Sequence, residues 1–272
     1  MKVDPGMAQR TEEAMTVVDI RLNCRSRGIG KMIESTLCVL SLSLLLAWPA
    51  YAMQAGDSAT VDEGVRDPQV LVINSYADSG PGSLRAALER ASESPGAYRI
   101  GFGSAEGPFS VPRVIELSSP LPVIRTEVEI DGFIPGLVWK AYGATVSGAG
   151  QFRVFEVAPG GVLRLSGLTV SNGQADQGAG ILNRGHLVVQ GVTLLENHAL
   201  EAGGAIANEG GEAIVINSTA YGNSAEHGGA VANLAGSLWL THVTLHQNQA
   251  GIGSAVFSRD ALVVNNSILT GE

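Results

Sequence analysis

Through residues 153–272, apolar side chains alternate with polar or small ones at a period of two, as in Leu187/Val189 and Val192/Leu194. That is the pattern of a strand with one buried face. The alternation comes in short bursts broken by Gly and Asn, and the bursts themselves recur. Ile181, Ile206, Val231 and Val256 stand 25 residues apart, each after a cluster of small residues. Gly203-Gly204-Ala205-Ile206-Ala207-Asn208 is followed by Gly228-Gly229-Ala230-Val231-Ala232-Asn233 and then by Gly253-Ser254-Ala255-Val256. Between them lies a second recurring element: Val192-Thr193-Leu194-Leu195-Glu196-Asn197, Ser218-Thr219-Ala220-Tyr221-Gly222-Asn223, and Val243-Thr244-Leu245-His246-Gln247-Asn248. Leu168-Thr169-Val170 begins this series one coil earlier.

A repeat this short leaves no room for a crossover helix, and glycines at this density, each costing about 1 kcal/mol in a helix interior, exclude a helical solenoid. The expected fold is therefore all-β: a right-handed parallel β-helix with coils of about 25 residues. Adjacent coils then stack at ~4.8 Å. Leu187, Ala213, Leu238 and Leu262 form one expected inward column, and Val189, Val215, Leu240 and Val264 another. Corners this tight call for Gly or Asn, which tolerate left-handed backbone. Two buried amide ladders are predicted, Asn183/Asn208/Asn233 and Asn197/Asn223/Asn248; these are read as structural rather than as a ligand site.

Upstream, residues 68–152 form the expected N-terminal cap with the first irregular coils, ahead of the regular repeats of 153–272. A strand is expected at 70–73, a helix from Ser83 to about Ser92 with Leu84, Ala87, Leu88 and Ala91 on one face, and strands near 99–102, 113–117, 128–130 and 153–157. Glu272 falls where the next corner Asn would stand, so a further stretch or a missing C-terminal domain is expected to cover the last coil.

Residues 1–52 read as a signal peptide with a long leader. Arg21, Arg25, Arg27 and Lys31 precede an apolar run from Thr36 to Trp48, which ends at the small-x-small site Ala50-Tyr51-Ala52. The long leader suggests an internal start such as Met15 as the expectation, with an uncleaved anchor as the alternative to cleavage. Residues 53–67, with four acids and little apolar content, form an expected flexible leader. Export and cleavage after Ala52 would place the mature chain outside the cell or at a bacterial surface or outer membrane, with no membrane span remaining. Cleavage removes Cys24 and Cys38, leaving no thiol, so stability must come from packing. The 35 glycines in 272 residues are about twice the usual share. Past Ala52, 21 Asp/Glu against 11 Lys/Arg leave a net charge of −10. That balance repels phosphate backbones, so nucleic acid is not an expected partner.

Several segments resemble a known group. Asp78-Ser79-Gly80-Pro81-Gly82-Ser83-Leu84-Arg85-Ala86-Ala87 is similar to the N-terminal segment of bacterial surface proteins of the CSLREA and choice-of-anchor type. So is Val128-Glu129-Ile130-Asp131-Gly132, followed by Arg153-Val154-Phe155-Glu156-Val157 and Leu165-Ser166-Gly167-Leu168-Thr169-Val170. The coils resemble the GGAI and FxxN repeats of polymorphic outer-membrane proteins of chlamydial type, although Leu194, Ala220 and Leu245 replace the FxxN aromatic. No C-terminal barrel segment follows, so self-transport is not expected. The resemblance implies a parallel β-helix at the envelope, often adhesive, and fixes no ligand.

Two functional readings follow. The first is a non-catalytic adhesin-like, glycan-binding or structural module whose partner is an extracellular glycan or a surface protein. If Leu187 and Val189 point inward, then Arg164, Val188, Ile214, Trp239 and Val263 stack outward, while Leu195, Tyr221 and His246 share another outward column. Trp239, Ile214, Tyr221 and His246 are the expected contacts. The alternative is a polysaccharide lyase or glycoside hydrolase working through Glu201 and Glu226. Those residues occupy equivalent positions in neighbouring coils, where carboxyls would lie about 5 Å apart, near the retaining-glycosidase spacing. No basic residue is expected beside that pair. His186, His198, His227, His242 and His246 fall in different columns, so no metal site and no cofactor is expected.

Overall fold

The computed structural model describes residues 67–103, 114–134 and 143–271. The expected signal peptide, almost all of the flexible leader and the terminal Glu272 lie outside the described residues. The described chain is a parallel β-solenoid of about seven turns, with coils of about 25 residues, as the repeat predicts.

One coil shows how the sequence makes four sides. Ile181–Asn183 forms the first, His186–Gln190 the second, Thr193–Leu195 the third and His198–Ala202 the fourth. In the next coils the first two sides fuse into single strands, Ile206–Ile216 and Val231–Thr241. The second side begins at Gln69–Ile73 and runs, always in parallel, through Ala97–Phe102, Glu127–Asp131 and Val162–Ser166 into the regular repeats. Its last strand is Ala261–Asn265.

The inward columns have the predicted register. Leu187 pairs with Ala213, Ala213 with Leu238 and Leu238 with Leu262, while Val189, Val215, Leu240 and Val264 align beside them. Leu187, Ala213 and Leu238 are completely buried, whereas Leu262 in the final coil is 38% exposed because no further coil covers it among the described residues. The inner face of the fourth side is lined by Ala175, Ala199 and Ala225 with Ala179 beside them, a separate small-residue core.

Both asparagine ladders form, with all six residues fully buried. Asn183 Nδ2 donates to Asn208 Oδ1 at 2.7 Å, and Asn208 Nδ2 to Asn233 Oδ1 at 2.8 Å. At the opposite corner, Asn197 donates to Asn223 and Asn223 to Asn248, both at 2.9 Å. Each amide also satisfies backbone groups at its bend, as when Asn223 Nδ2 donates to Leu194 O. The left-handed positions beside these corners are less selective than glycine–asparagine logic implies. Glu196, His242 and Gln247 hold φ values of 52°, 54° and 52° in the same columns as Asn172, Asn217 and Asn266. At the corner from the fourth side to the first, glycine is obligatory: a Cβ on Gly203 (φ +64°) would lie 2.2 Å from Ile206 O.

The cap helix spans Leu84–Glu93 and buries Leu84, Leu88 and Ala91. Ser83 caps its N-terminus, its hydroxyl accepting from Ala86 N at 3.2 Å. Within the run 78–87, Asp78 and Arg85 form a clamp at 2.7 Å with both side chains 11% exposed. Arg85 also donates to the carbonyls of Ser119 and Pro120, and Ser118 Oγ donates to Asp78 at 2.6 Å. The helix is thereby tied to the loop below the first coils. Burial alone would raise the Asp78 pKa, but hydrogen bonds from Arg85 and Ser118 and the guanidinium charge outweigh it and hold the carboxyl below its ordinary value.

Candidate functional site

The outward face of the second side changes character along the axis. Arg99, Glu129, Arg164, Val188, Ile214, Trp239 and Val263 form one continuous column. Its lower part is ionic: Arg99 pairs with Glu129 at 3.0 Å, and Arg164 with the neighbouring Glu127 at 2.7 Å. Above Arg164 the column turns apolar, with Val188, Ile214 and Trp239 half-buried and Val263 exposed. Beside it, His186 Nδ1 meets a Glu212 carboxylate oxygen at 2.8 Å.

Tyr221 and His246 align on the third side with Leu195, as the repeat predicts, and their rings stand 6.0 Å apart. The four expected contact residues thus form two pairs rather than one patch. Ile214 and Trp239 face out from the second side, Tyr221 and His246 from the third, and the corner through Asn217 and His242 lies between them.

Glu201 and Glu226 lie on the fourth side, where the ladder slips. His198 pairs with Ser224 but Ala202 with His227, a bulge between the two carboxylates' strands. Glu201 accepts from Gln177 Nε2 in the preceding coil at 2.8 Å. Glu226 leans the other way, over Gly251 of the following coil, where its Oε1 would lie 2.6 Å from an added Cβ. The two acids line one cavity of about 290 Å³ together with His227 and Arg259, yet their oxygens are directed apart. The expectation that no basic residue lies near them is corrected here. Arg259 reaches the cavity from the next coil, and Arg153 and Arg184 share a second cavity with Glu201. Arg259 lies 5.3 Å over the Phe257 ring, and that ring stands 5.0 Å from His227.

No protein-family model matches this chain, and no curated protein is significantly similar to it. The surface-protein likeness accordingly rests on its own motifs and on the parallel β-helix.

Sequence reasoning missed the arginines because it followed single columns, whereas Arg153 stands just ahead of the first side and Arg184 and Arg259 come from the corner between the first and second sides. Their only advance signal is recurrence near that corner, at Arg184 and Arg259. A chain of alternating charge results: Arg153 to Glu156 at 2.6 Å, Glu156 to Arg184 at 2.9 Å, and Arg184 to Glu209 at 2.8 Å. The outward residues of the first side were not anticipated either. Leu182, Ala207 and Ala232 stack in register and are at most 1% exposed, because the glycine corners fold over them. Among the described residues no three His, Asp or Glu side chains converge in a way that could hold a metal ion, and no helix is long and apolar enough to cross a membrane.

Proposed function

We propose that this chain is an exported, non-catalytic β-helix module that docks on an extracellular glycan or surface protein, in the manner of the CSLREA and choice-of-anchor type proteins its motifs resemble. The observation that carries this reading is the Val188–Ile214–Trp239–Val263 strip, an apolar row on strand segments 186–190, 212–216, 237–241 and 261–265, which pair in unbroken register. Such a row offers contact area with little ordering cost on binding, and Trp is the side chain that most often dominates such contacts. The leader supports export, and the acidic surface disfavours nucleic acid.

The test uses the full chain against bacterial envelope preparations and insoluble polysaccharides in a sedimentation assay. Trp239→Ala is expected to weaken retention at least tenfold with circular dichroism unchanged; equal retention removes the strip as the contact site. The hydrolase or lyase alternative is tested on the same material. If polysaccharide viscosity falls steadily over hours, and Glu201→Gln or Glu226→Gln abolishes the fall, the module is an enzyme and the non-catalytic reading fails.

A further inference from the structure

The foot of the Asn197–Asn223–Asn248 ladder brings two local requirements together. Along that ladder each backbone N–H donates to the side chain of the next coil: Asn197 N to Asn223 Oδ1 at 2.9 Å, and Asn223 N to Asn248 Oδ1 at 3.0 Å. Gly173 holds the same place one coil earlier, and its N–H donates to Asn197 Oδ1 at 2.9 Å. No side chain fits there, because a Cβ on Gly173 would lie 2.1 Å from Ala179 O and 2.9 Å from Asn197 Oδ1. The residue before it turns the corner with φ at 48°, a left-handed backbone that asparagine tolerates. The two requirements meet in Asn172-Gly173, the chain's one Asn-Gly pair.

In such a pair the peptide nitrogen reaches the preceding side-chain amide with least hindrance, since no Cβ flanks it. The reaction is internal. Gly173 N loses its proton to hydroxide and attacks Asn172 Cγ; the Cγ–Nδ2 bond breaks and ammonia leaves, closing a five-membered imide. Water then opens the imide at either carbonyl, to an aspartate or to an isoaspartate whose main chain runs through the former side chain. Asn172 is exposed, and its side chain makes no hydrogen bond among the described residues, so nothing restrains the electrophile. The nucleophile is restrained. Gly173 is buried and its N–H is engaged by Asn197 Oδ1, and a buried, bonded amide loses its proton far less readily than one open to solvent.

We propose that Asn172-Gly173 is a covalent modification site latched by Asn197, at which imide formation proceeds only in molecules whose corner has opened. The chemistry makes that opening permanent. An isoaspartate puts one more carbon into a main chain held on both sides, by Gly150 N donating to Asn172 O at 2.8 Å and Asn172 N donating to Leu195 O at 3.1 Å. The altered corner no longer matches those above and below it, so a transient local opening leaves a lasting record. This inference goes beyond the docking reading and does not depend on it.

The test holds the full chain at pH 8 and 37 °C for days and follows conversion of Asn172 by peptide mapping with mass spectrometry. Asn217, exposed, left-handed and followed by Ser218 at its own corner, is the internal reference. In the parent, Asn172 is expected to convert at least tenfold more slowly than in a free peptide of residues 168–178; equal rates overturn the latch. Asn197→Ala removes the acceptor and should speed conversion of Asn172 at least tenfold while Asn217 is unmoved. Asn248→Ala weakens the same ladder two coils away, leaves Gly173 its acceptor, and should change neither rate. Equal acceleration at Asn172 in the two variants, or none in Asn197→Ala, overturns the proposal. Where Asn172 and Asn217 rise together in Asn197→Ala, that variant has unfolded and the parent alone decides. Its Gly173 amide exchange and its Asn172 conversion, measured from 0 to about 2 M urea, should rise in parallel. Conversion that climbs without faster Gly173 exchange overturns the latch.

Discussion

Removing the Asn208 side chain tests whether the amide ladder holds the coils together by hydrogen bonding or merely fills a corner. Asn208 is fully buried and sits between two rungs. It accepts from Asn183 at 2.7 Å and donates to Asn233 Oδ1 at 2.8 Å, Gly211 O at 2.9 Å and Ala235 O at 3.0 Å. An amide nitrogen has two hydrogens, so these contacts amount to one accepted bond and two donated ones. At about 1 kcal/mol net for each, Asn208→Ala is expected to cost about 3 kcal/mol, with a further cavity contribution. Asn208→Leu restores most of the volume and none of the bonds, so it should be no more stable than the alanine variant. Asn208→Asp keeps the acceptor, loses both donors and buries a charge, and should be the worst of the three. Urea unfolding at 25 °C, followed by far-ultraviolet circular dichroism, measures all of them. Because each coil touches only its neighbours, the weakened rung should also broaden the transition as the coils on either side decouple. A leucine variant within 1 kcal/mol of the parent would refute the bonding account and leave the ladder as a space-filler.

Two further outcomes concern the cap and the corners. Asp78 has a folded pKa below its unfolded value, so its clamp stabilises at pH values above the ordinary carboxylate range and that contribution is lost as pH falls through the depressed value. Asp78→Asn should cost about 1–2 kcal/mol at pH 7 and flatten the acid limb of a stability–pH curve measured by urea titration; an unchanged acid limb would show that other carboxylates set it. His242 holds φ at 54° in a column where Asn217 and Asn266 lie on either side. His242→Asn should raise the unfolding free energy by about 0.5–1 kcal/mol, and His242→Val should lower it by at least as much, since a β-branched residue resists left-handed backbone. A melting temperature indifferent to both changes would mean that the corner relaxes.

The columns and ladders were legible because a fixed period and a strict alternation leave one register that buries Leu187 on Ala213 and Asn183 on Asn208. What escaped depends on departures from that period or on contacts between distant segments. The slip between His198 and Ala202 shifts the partner of Glu201 by one position, and with it the direction of each carboxylate. Left-handed Glu196, His242 and Gln247 were hidden because their columns tolerate strain that neighbouring rungs over-determine. The Asp78–Arg85 clamp reaches Ser118 and Pro120 through the fold, and no local pattern marks such a partner. Of the expected contact residues, sequence placed each in its column; only the corner between the second and third sides decides that they form two pairs.

The identical rungs carry a further consequence for how such a chain changes length. Ala205–Ile206 and Ala230–Val231 occupy superimposable positions, with Ile206 and Val231 directly paired. Excising residues 206–230 would join Ala205 to Val231 without displacing an inward column, a ladder amide or a corner glycine. Duplicating the same stretch would add a coil just as quietly. Length is therefore a quantised property of this molecule, adjustable in steps of one coil, ~4.8 Å each, while a single residue gained or lost is absorbed at the corners or at a bulge, as the spacings of 26, 25 and 24 residues along Leu187, Ala213, Leu238 and Leu262 show (213 − 187, 238 − 213 and 262 − 238).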